Sequence, residues 1–220
     1  MKEILKRCPL FQGIEAEELE LVLGCLGAKT ERFSKGEAIL SEGEPARRIG
    51  IILKGSAQVI REDYFGSRSI MTRLEAPDLF AEAFVCAGVK EMPLTVIALE
   101  ETEALLIDGE RILHTCSNAC AFHQRMIFNL MRILATKNLM CNQKIEITSK
   151  RTTRDKLMAY LMIEAKKNQS TRFLIPYDRQ ELADYLEVDR SGLSAEISKL
   201  RREGVLECSR NHFELLKEEP

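Results

Sequence analysis

Between residues 118 and 149 the chain contains neither glycine nor proline, and this uninterrupted stretch separates two segments of different texture. One long helix over 118–149 is expected there, because an interior Gly or Pro costs a helix about 1 or 3 kcal/mol and none is present. Ile127, Met131, Leu134, Asn138, Cys141 and Ile145 step by 4, 3, 4, 3 and 4 along it. Alternating steps of 4 and 3 repeat every seven residues, as in a coiled-coil seam, so these six residues form a candidate dimer face, with Asn138 placed to fix its register. An ordinary long helix packed on its own domain is the alternative reading of the same stripe.

Before this helix, residues 15–26 carry Leu19, Val22, Leu23 and Leu26 at helical spacing, and the texture then changes to short alternating runs. Runs at 37–40, 49–53, 56–60, 69–74 and 94–99 read as strands. Breakers at Ser34-Lys35-Gly36, Glu42-Gly43-Glu44-Pro45, Lys54-Gly55, Phe65-Gly66-Ser67 and Ala76-Pro77-Asp78 separate them, a spacing that suits a compact antiparallel barrel or sandwich over residues 10–110.

The last third changes again. Residues 154–166 carry Leu157, Tyr160, Leu161 and Ile163 on one helical face, and Phe173-Leu174-Ile175-Pro176 is too short and Pro-terminated to be helical. Asp178 then caps a helix over 179–186, with Glu181 completing a reciprocal capping box and Leu182, Ala183 and Leu186 facing inward. A turn at Glu187-Val188 leads to Asp189, which caps a second helix from Arg190 to about Glu203 with Leu193, Ile197 and Leu200 inward and Gly204 at its end. Two short helices across a tight turn, followed by strand, turn and strand over 205–216, make a helix-turn-helix with a wing, a geometry that lays the second helix in a DNA major groove. Arg190, Ser191, Ser194 and Ala195 are its candidate base-facing residues, and the Arg190 guanidinium can fork onto guanine O6 and N7. Lys199, Arg201, Arg202 and Arg210 are candidate phosphate contacts, joined by Arg179 and Gln180 at the start of the first helix.

Charge gives no global support for nucleic-acid binding. The net charge is −2, and residues 150–220 hold 14 basic and 13 acidic side chains, a local +1 that leaves −3 elsewhere. DNA affinity must therefore come from a focused face and from two-fold binding. With 220 residues, 45% of them apolar, two domains with cores of their own are expected. No apolar run approaches the ~18 residues needed to span a bilayer, and the opening Met1-Lys2-Glu3 lacks a signal-peptide core, so a cytoplasmic protein with no membrane role is expected. Seven scattered cysteines fit reduced thiols in that compartment.

Across nearly all its length the chain resembles the CRP/FNR superfamily of bacterial transcription regulators. The resemblance rests on the run from Asp178 to Leu186, on Val188-Asp189-Arg190-Ser191 with Leu193, on Lys199-Leu200 and Glu203-Gly204, on Gly36, Gly43 and Gly55, and on Phe80-Ala81-Glu82. It implies an α+β chain: an N-terminal double-stranded β-helix, the cyclic-nucleotide-binding-like jelly roll, over 1–117, a long dimerisation helix over 118–149, and a C-terminal winged helix-turn-helix over 150–220. It further implies a homodimer on a palindromic double-stranded DNA operator, with RNA polymerase as a partner, and no enzymatic activity.

The effector site implied by the resemblance comprises Phe80, Ala81, Glu82, Ala83, Cys86, Met92 and Pro93. Members that bind cyclic AMP carry a Gly-Glu-Leu motif and, about ten residues on, an Arg-Ser pair gripping the cyclic phosphate. Here the stretch reads Ala81-Glu82-Ala83 and Met92-Pro93. Burying a phosphate without a partner cation is costly, so cyclic AMP is not the expected effector; a small molecule of unknown identity is. Lys90 is the only nearby cationic replacement, and it also reads as a solvated loop lysine. Along the recognition helix only Arg190 matches the family's arginine, glutamate, arginine pattern; Ser191 and Ala195 stand at the other two positions, so the operator need not be that of other members.

Cys116, Cys120 and His123 fall at i, i+4 and i+7, which would line one helical face as a metal or oxidant site or simply as small packing residues. Cys8 and Cys25 alone do not make the N-terminal cluster of iron–sulfur members, and His114 and His212 belong to no motif. Cupin-type metal catalysis needs clustered histidines in the barrel, whereas residues 10–110 contain none. No catalytic, metal or cofactor site is expected. The remaining alternative is an effector-binding or protein-interaction module whose DNA binding is weak or lost.

Overall fold

The computed structural model describes residues 1–62, 64, 66, 68–113 and 121–216. Phe65 and Ser67 of one expected breaker, the expected helix start at Asn118, and His114, Cys116 and Cys120 lie outside the described residues. The chain forms two compact units, one of Met1–Ser67 and Met71–Asn138, the other of Arg68–Ile70 and Leu139–Pro220.

The first unit opens with α1 (Lys2–Arg7), a 3-10 turn (Pro9–Phe11) and α2 (Ala16–Cys25). Strands β1 (Lys29–Phe33), β2 (Ala38–Leu40), β3 (Arg48–Lys54), β4 (Ser56–Glu62), β5 (Arg68–Glu75) and β6 (Leu79–Phe80) follow, then α3 (Glu82–Cys86), β7 (Thr95–Ala98), β8 (Thr102–Asp108) and α4 (Gly109–Leu113). Two four-stranded sheets result, ordered β1-β8-β3-β6 and β2-β7-β4-β5, which is the jelly-roll sandwich the alternating runs imply. Each expected strand is present within a residue or two, while α1, the 3-10 turn, β1, β6, α3, β8 and α4 are additions.

Side-chain alternation along β3 and β8 builds two apolar layers. Ile52, Ala104 and Leu106 point between the sheets with Phe33, Leu74, Phe80, Met92 and Val96. Ile49, Ile51, Leu53, Leu105 and Ile107 point out of the sandwich, against Leu10, Phe11, Leu19, Val22, Leu26, Met126, Leu130 and Ile133. A strand buried on both faces reads as a continuous apolar run, as Ile49 to Leu53 does. Gly50 is required inside it, since a Cβ there would lie 1.9 Å from Phe80 Cζ.

The long helix α5 runs Ala121–Thr148. Its first half covers the outer layer, where buried Asn129 donates from Nδ2 to the carbonyls of Leu10 and Gln12 at 3.0 and 2.9 Å. No helix among the described residues is long and apolar enough to cross a membrane.

The second unit contains α6 (Thr153–Asn168), β9 (Arg172–Leu174), α7 (Arg179–Leu186), α8 (Arg190–Arg202), β10 (Leu206–Ser209) and β11 (His212–Leu215). Phe173-Leu174 is not a free loop: β9 pairs with β11 and completes a three-stranded antiparallel sheet, β10-β11-β9. Leu157, Tyr160 and Leu161 of α6, Leu182, Ala183 and Leu186 of α7, Leu193, Ile197 and Leu200 of α8, and Phe213 are among its buried residues. Ile163 is half-buried and Met158 buried, so the inward face of α6 is set slightly round from the expected one.

Candidate nucleic-acid interface and effector site

The helix-turn-helix is fixed at each end by its own caps. Asp178 Oδ1 accepts from the Glu181 amide at 2.8 Å, and Glu181 Oε2 accepts from the Asp178 amide at 2.9 Å, the reciprocal box expected. Glu187 ends α7 in the left-handed region at φ 53°, and Lys156 Nζ donates to the carbonyls of Leu186 and Glu187 at 3.3 and 3.2 Å, satisfying acceptors the helix leaves open. Asp189 Oδ2 accepts from the Gly192 amide at 2.9 Å and from the Ser191 hydroxyl. These bonds, the hydroxyl first, hold the Asp189 carboxyl below the usual carboxylate range. From the opposite side Arg154 of α6 grips α8 through Glu203 at 2.7 Å and Glu196 at 3.4 Å.

This framework brings Arg179, Gln180, Arg190 and Arg210 around one concavity, at the start of α7, the start of α8 and the turn of the wing. Arg190 is exposed and makes no hydrogen bond or ion pair among the described residues. Ser191 and Ala195 are exposed, and Ser194 is half-buried. Ser191 is engaged with the Asp189 cap. Lys199 and Arg202 are exposed on the same helix, whereas Arg201 pairs with Glu207 at 3.3 Å. Arg179 is half-buried, 4.0 Å from Cys208 Sγ with its guanidinium 5.8 Å from the Phe213 ring centroid, and Gln180 donates to Asp184 at 2.8 Å. A second concavity along the wing is lined by Arg172, Arg201, Cys208, His212 and Phe213.

In the first unit, the effector-site residues divide into core and rim. Phe80, Ala81 and Met92 belong to the layer between the sheets, Glu82 is 2% exposed, Cys86 is half-buried, and Ala83 and Pro93 are exposed. Ala81 is left-handed at φ 65°. Met92, at the position of the family's cationic anchor, is 2% exposed and filled around by hydrocarbon. Lys90 is exposed. The cation at Glu82 comes from elsewhere: Lys137 Nζ of α5 lies 2.7 Å from Glu82 Oε1 and donates to the Leu79 carbonyl at 2.5 Å. Nothing local in the sequence marks this pairing.

Along α5, Met131, Asn138, Cys141 and Ile145 are exposed, while Ile127 and Leu134 are half-buried, Leu134 against the outer apolar layer. Phe128 and Leu139, 55% and 71% exposed, are additional apolar residues outside the expected seam. Farther along, the Lys144 ammonium donates to the Ile70 carbonyl and sits 4.4 Å from the Tyr185 ring centroid, where burial lowers its pKa to about 8. His123 is buried with Nε2 4.0 Å from Cys25 Sγ. Burial raises the Cys8 thiol to about 11 and the Cys86 thiol upward, so both stay protonated at neutral pH.

Residues 30–119 match the cyclic nucleotide-binding domain family, and residues 155–219 match the Crp-like helix-turn-helix domain family. The chain is 26% identical over 139 residues to a CRP-like cAMP-activated global transcriptional regulator of Mycobacterium tuberculosis, a match spanning 63% of this chain and 60% of that protein. It is 23% identical over 205 residues to the cyclic AMP receptor protein of Thermus thermophilus, covering 92% of this chain and 89% of that one. Its fold is similar to that of the c-di-GMP-responsive global regulator CLP of Xanthomonas campestris, with a TM-score of 0.75 and 16% identity over 92% of this chain and all of that one. A jelly roll with a cyclic-nucleotide-binding-type cassette, a long helix and a winged Crp-like helix-turn-helix place this chain in the CRP/FNR superfamily of DNA-binding transcription regulators.

Proposed function

We propose that the chain is a homodimeric regulator that reads a palindromic duplex site through α8, with residues 1–117 as sensor, 118–149 as dimer helix and 150–220 as DNA-binding domain. The gathering of Arg179 and Gln180 from the start of α7, Arg190 from the start of α8 and Arg210 from the wing turn around one concavity carries this reading. It puts an unpaired guanidinium where a recognition helix meets base edges, with further cations flanking it for phosphates. The exposed apolar residues of α5 support the dimer, and RNA polymerase is the partner the family implies. The relatives activated by cyclic AMP do not extend that effector to this chain, because hydrocarbon fills the surroundings of Met92 where a phosphate needs a cation.

Selection from a random duplex pool tests the reading. The enriched sites should contain two half-sites about one helical turn apart. Arg190→Ala should relax preference at one base of each half-site by about 1–3 kcal/mol, and Lys199→Ala should weaken binding on all sequences and lower the salt slope by about one. Unchanged selectivity in Arg190→Ala removes that residue from readout. Failure to enrich any sequence favours an effector-binding or protein-interaction module without DNA function.

A further inference from the structure

Two glutamates belong to a helix that must approach phosphates. Glu196 of α8 and Glu203 at its C-cap are seven residues apart, so about two turns and about 10 Å separate them along one face. A carboxylate there repels DNA unless its charge is met. Both are met from α6: Arg154 Nη1 lies 3.4 Å from Glu196 Oε1 and 2.7 Å from Glu203 Oε2. The Arg154 and Glu196 side chains are 30% and 20% exposed, so solvent screens this bridge less than it screens a pair out in water. At about 100° per residue, the two glutamates flank one side of the buried Leu193, Ile197 and Leu200 stripe, and Arg190 flanks the other. The stripe sets which face of α8 turns inward, but apolar contacts have no direction and resist a small roll weakly. A roll of about 10° moves a side-chain tip lying about 5–6 Å from the axis by about 1 Å, enough to undo a two-bond fork onto a base. One guanidinium nitrogen holding α8 at two levels opposes that roll, from the flank away from Arg190.

We propose that Arg154 is a positioning residue for sequence readout: it touches no base, and by bridging Glu196 and Glu203 it fixes the roll at which α8 presents Arg190 to the DNA. The proposal rests on the reading of α8 as the recognition helix. It assigns to α6, which lies outside the helix-turn-helix, a share of the base preference, and it gives the two carboxylates on α8 a purpose that outweighs their repulsion of phosphates.

The test uses the full chain with the duplex it selects, beside the same duplex changed at the most selective base of each half-site. Discrimination, the ratio of the two affinities, should fall about tenfold in Arg154→Met. It should fall likewise in the double variant Glu196→Ala with Glu203→Ala, which takes away both partners of Arg154. The first variant removes a positive charge and the second removes two negative ones, so a pure charge effect has opposite signs in them, whereas loss of position has the same sign in both. Arg154→Lys should keep native discrimination, since a single nitrogen meets both carboxylates. Melting curves set a temperature at which every variant is fully folded, and affinities are measured there. The salt slope of Arg154→Met should equal that of the native chain. A slope lower by about one with discrimination intact makes Arg154 a phosphate contact and overturns the proposal. So does native discrimination in either Arg154→Met or the double variant. A further readout needs no DNA: the Glu203 carboxyl is held below the ordinary glutamate value of 4.5, first by its hydrogen bond from Arg154, and should titrate higher in Arg154→Met when followed by carbon-13 NMR. An unmoved midpoint denies the bridge itself. A native chain that selects no sequence sinks the reading of α8 and the positioning role with it, while the Glu203 titration still decides whether the bridge exists.

Discussion

Ala81 bears a cost that its position in the cassette explains. It must turn the chain from β6 into α3, and it does so at φ 65°, where an L-residue sets Cβ against its carbonyl at about 1–2 kcal/mol. The family's motif has glycine there. Ala81→Gly should therefore stabilise the chain by about 0.5–1 kcal/mol, the relief of strain less the extra freedom glycine brings to the unfolded chain, read as a shift in urea midpoint at unchanged slope. A loss of stability would mean the Ala81 methyl, buried in the layer with Phe80 and Met92, contributes more by packing than its backbone costs. Met92 belongs to the same logic: with an apolar side chain in an apolar layer, nothing at that position can compensate an anion.

At the scale of the element, what was legible in the sequence is what each segment decides for itself. The Asp178 and Glu181 box, the α8 cap and the Leu193, Ile197, Leu200 face all lie within one or two turns, so sequence order and spatial contact coincide. β1 escapes notice because only Phe33 of its five residues is buried, and β8 because burial of both faces erases a period of two. The Glu82 and Lys137 pair is invisible for a different reason: it joins elements by tertiary packing alone. The α8 cap also makes a pH statement. Asp189 has its folded pKa below the ordinary aspartate value of 3.8, so the unfolded chain takes up its proton first as pH falls. The cap's stabilisation is complete above the unfolded value and is lost as pH drops through the folded one. Unfolding midpoints of native chain and Asp189→Ala should be separated at pH 7 and converge in acid below 3.8; a constant gap would assign the effect to helix propensity instead.

For the whole molecule the deciding quantity is valence. With a net charge of −2 the chain has no broad field to hold DNA, and one recognition helix with a few free cations gives only a weak half-site complex. Two copies on one duplex convert the second contact into an intramolecular one, which raises affinity by about 10²–10⁴ with no new contact type. The helix proposed to join them keeps Met126, Leu130 and Ile133 for its own sheet and leaves Phe128, Met131, Leu139 and Ile145 more than half exposed, so the proposed pairing would use a different face from folding. Because those faces are separate, Phe128→Glu with Met131→Glu should leave the melting of the β-roll intact while placing like charges where two helices meet. Sedimentation should then report a monomer at micromolar concentration. Affinity for a duplex with both half-sites should fall about a hundredfold or more, and affinity for a single half-site should stay the same. If the double variant still sediments as a dimer and holds the full site as tightly, the association runs through some other surface, and the exposed stripe of α5 does not explain how so nearly neutral a chain holds its operator.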